Sequence, residues 1–88
     1  MTCYVVTFEP IGEGARTAIR QQLKTLPRYC PIHAFCWAVM CDMTAVQLRD
    51  SLIQASPESK FFVVRSGTEA DWTEAYGPKN TEWLKANL

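Results

Sequence analysis

The apolar positions change period several times along the chain, and each change marks an element. Residues 3 to 9, CYVVTFE, are β-branched and aromatic, which is strand chemistry, and Pro10, Gly12 and Gly14 end that strand in a loop. From Glu13 to Leu26 the residues Ala15, Ile19, Leu23 and Leu26 recur at spacings of four, four and three, the stripe of an amphipathic helix, and Pro27 stops it. Residues 28 to 42, RYCPIHAFCWAVMCD, are apolar and aromatic at both parities over a length too great for one ordinary strand. They predict two short antiparallel strands with a tight bend near Ala34 to Cys36. Next, TAVQLRDSLIQA sets Thr44 and Gln47 at capping-box spacing ahead of the stripe Ala45, Leu48, Leu52 and Ala55, closed by Ser56 and Pro57. KFFVVRS, residues 60 to 66, is the last strand, bounded by Gly67.

Beyond it lies a polar segment carrying Trp72 and Tyr76, then a short helix that Asn80 or Thr81 would cap and that Trp83, Leu84 and Leu88 would pin down. The order β-α-β-β-α-β plus a tail helix is the split βαβ arrangement of an α+β, ferredoxin-like sandwich. Its 88 residues leave room for one domain, with a core over about 1–67 and a C-terminal extension over about 68–88.

A four-stranded antiparallel sheet with both helices on one face should alternate apolar with polar, because its other face meets water. These strands do not alternate. In the first, Tyr4, Val6 and Phe8 occupy one parity and Cys3, Val5 and Thr7 the other; in the last, Phe61 and Val63 oppose Phe62 and Val64. The second face therefore needs a cover. A self-complementary apolar patch most readily gives a two-fold dimer, so the expected cover is a second copy meeting at Tyr4, Val5, Phe62, Val64 and Trp72. The rival cover is the chain's own tail.

Charge narrows the partners. Nine basic and nine acidic residues leave no net field, so nucleic acid or an anionic membrane would have to be met by a local patch. No early stretch has the make-up of a secretion signal, and no apolar run approaches the roughly 20 residues that span a bilayer, so the cytoplasm is the expected compartment and no membrane partner is expected. Cys3, Cys30, Cys36 and Cys41 then read as reduced, mostly buried thiols.

YVVTFEP at the start, Trp37, D-x-T-A at Asp42 to Ala45, L-R-D-x-L at Leu48 to Leu52, FFVV at 61 to 64 and the closing W-L-K-A-N-L together resemble the SinR-like small proteins. Those resemble the CRISPR-associated protein 2 family and the virulence-associated protein D toxins. The resemblance implies a ferredoxin-like homodimer whose sheets face each other across the two-fold axis. In the adaptation relatives such a dimer binds duplex DNA as a scaffold for the spacer integrase, and some relatives are metal-dependent nucleases using an aspartate at the end of the first strand. Glu9 takes that aspartate's place, with one methylene more than metal geometry would favour.

In a two-fold dimer, Glu9 and its copy would hold one Mg²⁺ that activates water against a phosphodiester. A lone carboxylate ending a strand is more often simply solvated. Arg16, Arg20 and Lys24, four residues apart, form a basic stripe beside the apolar one, extended by Arg28, that would follow a phosphate backbone; no aromatic residue interleaves with it in sequence. Cys30, His33, Cys36 and Cys41 are zinc-ligand types at spacings that fit no zinc knuckle. Trp37 is expected in the core, and Trp72 and Trp83 are expected to clamp the tail. The expectation is a homodimeric binding or scaffold module that contacts nucleic acid and uses no cofactor. The alternatives are a metal-dependent endonuclease, acting on RNA or DNA with Glu9 at the dimer seam, and a toxin-like module that binds a protein partner.

Overall fold

A computed structural model of the chain describes residues 1–67 and 78–87, at Pro78 and Thr81 for the backbone only. The elements are β1 (Thr2–Glu9), α1 (Glu13–Leu23), β2 (Arg28–His33), β3 (Cys36–Cys41), α2 (Ala45–Ala55), β4 (Lys60–Arg65) and α3 (Pro78–Asn87). The strands form one antiparallel sheet in the order β2-β3-β1-β4. β1 and β2 both run against β3 between them, so α1 is a crossover from β1 to β2, and α2 likewise connects β3 to β4. This is the ferredoxin-like α+β sandwich that the pattern predicts.

Local chemistry accounts for the element boundaries. Gly12 precedes α1 at φ 149° and ψ 179°, a backbone region essentially closed to residues with a Cβ. The first helix ends at Leu23, three residues before the expected Leu26. Thr25 Oγ1 donates to the Gln22 carbonyl at 2.6 Å and the chain turns there, although Leu26 remains buried in the core. At α2 the expected capping box is formed: Gln47 N–H donates to Thr44 Oγ1 at 3.2 Å, and Thr44 N–H to Gln47 Oε1 at 2.9 Å. The bend between β2 and β3 falls at Ala34 and Phe35, as expected. α3 begins at Pro78, a residue suited to a first helical turn because its missing N–H is not needed there. Asn80 therefore lies inside the helix rather than capping it, and its Nδ2 donates to the Pro31 carbonyl at 2.9 Å.

One face of the sheet packs under α1 and α2. Tyr4, Val6, Phe8, Trp37 and Val39 meet Ile19, Leu23, Leu48 and Leu52 there. Trp37 is thus core, as expected. Tyr4 is not at an outer interface: it occupies the same parity as Val6, its ring is buried, and its hydroxyl donates to the Met43 carbonyl at 2.9 Å. The other described residues of the expected interface, Val5, Phe62 and Val64, do lie on the outer face, with Val5 opposite Val64 and Thr7 opposite Phe62.

That outer face is shared between two situations. Over β2 and β3 it is covered by α3: Leu84 is fully buried against Cys30 and Ala38, with Ile32 and Trp83 packed around them. Trp83 and Leu84 do pin the tail, whereas Trp72, Tyr76 and Leu88 lie outside the described residues. Over β1 and β4, among the described residues, Phe62 is 63 % and Val64 44 % exposed, whereas Cys3 on the same face is buried. The tail and the second copy were rival covers for one surface; α3 takes the β2–β3 half.

Candidate nucleic-acid interface and the end of the first strand

Glu9 closes β1 on the outer-face parity and stands directly opposite Lys60, the first residue of β4. Both line an open depression of about 340 Å³, walled by Thr7, His33, Phe35 and Phe62. Ligand sites of this size are common. His33 comes from the end of β2, and its Nδ1 accepts the Phe35 N–H at 3.4 Å. The depression thus joins one carboxylate, one imidazole, one ammonium and one hydroxyl. Divalent magnesium needs several oxygen ligands in near-octahedral geometry. Among the lining residues Glu9 is the single carboxylate, Lys60 faces it, and no group of three metal-ligating side chains occurs among the described residues. One subunit alone does not assemble a metal centre there; a two-fold copy would have to bring a second Glu9.

The zinc-type residues do not converge. Cys30 lies under Leu84 and Cys36 shares the outer parity of Ala38, Cys41 belongs to the helix-covered core, and His33 is exposed at the turn. All four cysteines are free and buried. Burial pushes the thiols of Cys3, Cys30 and Cys36 above the ordinary thiol range, Cys3 being raised further by the charge of Cys41, so none is an activated nucleophile.

The basic stripe is present on α1 and is more elaborate than its sequence spacing implies. Arg16 places its guanidinium 5.8 Å from the ring centre of Phe35, and Arg20 places its own 6.0 Å from that of Trp37, both within cation–π range. The hairpin turn at Ala34 and Phe35 folds back beside α1, which is why aromatic residues absent from the stripe in sequence stand next to it in space. Phe35 is itself braced: its ring meets Phe8 edge-on at 6.1 Å, and its carbonyl accepts the Phe8 N–H at 2.9 Å. Trp37 is also flanked by Tyr29, with ring centres 5.8 Å apart.

Between α1 and this hairpin lies a notch of about 60 Å³ lined by Arg16, Arg20, Pro31, Ala34 and Trp37. Arg16 Nε is buried without a hydrogen-bond partner among the described residues. The Glu13 carboxylate, nearest among the described residues, is 4.0 Å from the Arg16 Nη1 and almost wholly exposed. Such an i,i+3 surface pair is worth a few tenths of a kcal/mol, so it leaves Arg16 its charge for other partners. A second shallow concavity of about 240 Å³, lined by Thr17, Arg20, Gln21 and Lys24, continues from Arg20 along the helix. Arg28 does not extend this track. It precedes Cys30 by two residues and pairs with Met40, which puts it on the parity of the opposite, α3-covered face.

The residues that sequence reasoning missed are Phe35 and Lys60, and His33, singled out there only as a zinc-ligand type, stands instead beside Glu9. Lys60 is a plain strand-end lysine until the register sets it against Glu9, and Phe35 is an unremarkable turn residue until the hairpin meets α1. No family model matches the chain, and neither a curated protein nor a solved structure matches it. No helix among the described residues is long and apolar enough to cross a membrane.

Proposed function

We propose that the chain is a homodimeric binding module of the SinR-like and CRISPR-associated protein 2 type, acting in the cytoplasm. Two copies join through the β1–β4 half of the outer face, and each presents the α1 stripe to nucleic acid. The observation that carries this reading is the exposure of Phe62 and Val64, beside Val5, on the half of the sheet that α3 leaves open. Fully burying one such side chain is worth about 1.5–3 kcal/mol. A two-fold axis counts each residue twice, yet association itself costs at least about 4 kcal/mol in lost freedom. The patch alone therefore supports a weak dimer. β4 is an edge strand among the described strands, and backbone pairing along it with its copy would add the remainder.

The test is light scattering across a concentration series, with Phe62→Glu as the variant. Association that rises with concentration and is lost in Phe62→Glu, with thermal stability retained, supports the reading; a wild-type protein that stays monomeric throughout refutes it. Nucleic-acid contact is read from the salt dependence of binding, which replacing both Arg16 and Arg20 with alanine should flatten.

The same preparation examines the nuclease reading, which the place of Glu9 at the margin of that face favours. A nuclease would cut RNA or DNA with Mg²⁺ and lose that cutting in Glu9→Ala. Association without nucleic-acid binding or cutting would favour a protein partner instead.

A further inference from the structure

We propose that the nucleic acid met by α1 is single-stranded, with one base stacked on Phe35 and the adjoining phosphates held by Arg16 and Arg20. This rests on the reading that the stripe contacts nucleic acid, and adds the kind of strand and the residue that distinguishes it.

Three features converge on Phe35. The ring sits at a hairpin tip, 45 % exposed, and is braced by Phe8 so that it offers a fixed aromatic surface at small conformational cost. On one side it carries the Arg16 guanidinium; on another it forms part of the wall of the 340 Å³ depression with His33 and Lys60. Immediately beyond Arg16 lies the 60 Å³ notch shared with Arg20. A water molecule occupies about 30 Å³ of liquid, so the notch admits a phosphate oxygen or two. Arg16 Nε is a buried donor with no acceptor among the described residues, and a phosphate oxygen reaching the notch after a small side-chain shift would supply one.

Aromatic rings at protein surfaces grip bases only where those bases are free of their own stack. Paired bases inside a duplex present edges, not faces. A basic track joined to a stacking ring is the arrangement by which single strands are held with little sequence preference. From Arg16 to Lys24 the track runs eight residues, about 12 Å at the helical rise. That length suits a short stretch of extended strand passing from the ring, through the notch, onto the shelf at Lys24.

The experiment measures binding of the full chain to a fluorescent oligothymidine of about 12 nucleotides and to a duplex of the same length, over a range of salt. The variants are Phe35→Leu, Phe35→Trp and the double change of Arg16 and Arg20 to alanine, each first checked for a native unfolding transition. Loss of one stacked base in Phe35→Leu should weaken single-strand binding about 5- to 150-fold with the salt slope unchanged. Phe35→Trp should bind at least as well as wild type, and duplex binding should be indifferent to both. The arginine pair should instead reduce the single-strand slope by about 1.4, two contacts at ~0.7 each.

If Phe35→Leu binds the single strand like wild type while the arginine variant binds weakly, stacking is overturned and backbone contact survives. Preference for the duplex likewise overturns the single-strand assignment alone. If neither probe binds in a salt-dependent way, both readings fail. Because Phe35→Trp keeps a ring against Phe8, a folding defect in Phe35→Leu would not shelter the idea: weakened binding by a well-folded Phe35→Trp together with an unaffected arginine variant also overturns it.

Discussion

Leu84→Ala tests how α3 is held to the sheet. Leu84 is fully buried, and its surroundings are Cys30, Ala38, Ile32 and Trp83, a small cluster separate from the main core. Truncating a buried leucine to alanine costs about 2–5 kcal/mol, and a small satellite cluster belongs near the lower end, about 2–3 kcal/mol. Among the described residues, α3 is also held to β2 by the Asn80 Nδ2 bond to the Pro31 carbonyl, a weak Cys30 Sγ bond to the Asn80 carbonyl at 3.7 Å, and the half-buried Trp83. A neutral hydrogen bond contributes about 1 kcal/mol net. A helix of ten residues is too short to persist without its tertiary contacts, which isolated helices below about 12–15 residues require. Losing Leu84 therefore removes the one fully buried contact of α3 among the described residues, and the helix should detach while the sheet and its two core helices stay folded.

Cys30 reports that detachment directly, since only 2 % of it is exposed and Leu84 is its lid. At mildly alkaline pH, labelling of Cys30 by a thiol reagent should accelerate about 30- to 150-fold in Leu84→Ala, the opening equilibrium that corresponds to about 2–3 kcal/mol. The rate gains further because burial holds this thiol above its ordinary range, and release lets it fall back. Cys41, in the core beneath the helices, is the internal control and should label at the wild-type rate. Peptide mass mapping assigns the labels. Wild-type labelling of Cys30 in the variant would refute the docking account, and Cys30 and Cys41 accelerating together would show that α3 is integral to the global fold and not a separately docked lid.

Thr44→Ala removes the hydroxyl that accepts the Gln47 N–H and should cost about 1 kcal/mol, lowering the melting temperature by about 4–8 °C; an unchanged melting curve would deny that the box stabilises α2. The buried thiols set a pH trend. In the folded chain Cys3, Cys30 and Cys36 keep their protons to higher pH than in the unfolded chain, so above the unfolded thiol value of about 8.5 the unfolded state binds fewer protons and stability declines as pH rises. Urea midpoints under reducing conditions should be level below that value and fall above it, and a midpoint that rose there would contradict the sign.

The strands and the core helices were legible because their signals are local. Ala45, Leu48, Leu52 and Ala55 repeat at the helical period, Thr44 and Gln47 stand at the spacing that closes a capping box, and FFVV is β-branched and aromatic whatever surrounds it. The end of α1 was less legible, since Leu26 continues the apolar spacing and yet reaches the core from a turn. Parity alone could not decide which face Tyr4 joins, because both parities of β1 are apolar. Register and helix placement decided it. Glu9 was visible as an acid at a strand end, but Lys60 and His33 around it were not, being separated from it by 51 and 24 residues and joined only by strand pairing and the hairpin.

By itself, then, the order of residues determined the element sequence, the split βαβ topology and the fact that both sides of the sheet are greasy, since each depends on neighbours within a few positions. Only the tertiary structure decided that α3 covers the β2–β3 half of the outer face, that Arg28 points away from the α1 stripe, and that Phe35 and Trp37 stand beside Arg16 and Arg20. Those outcomes turn on strand register and on where a hairpin closes against a helix, and a shift of one residue in either would move every side chain involved to the other face.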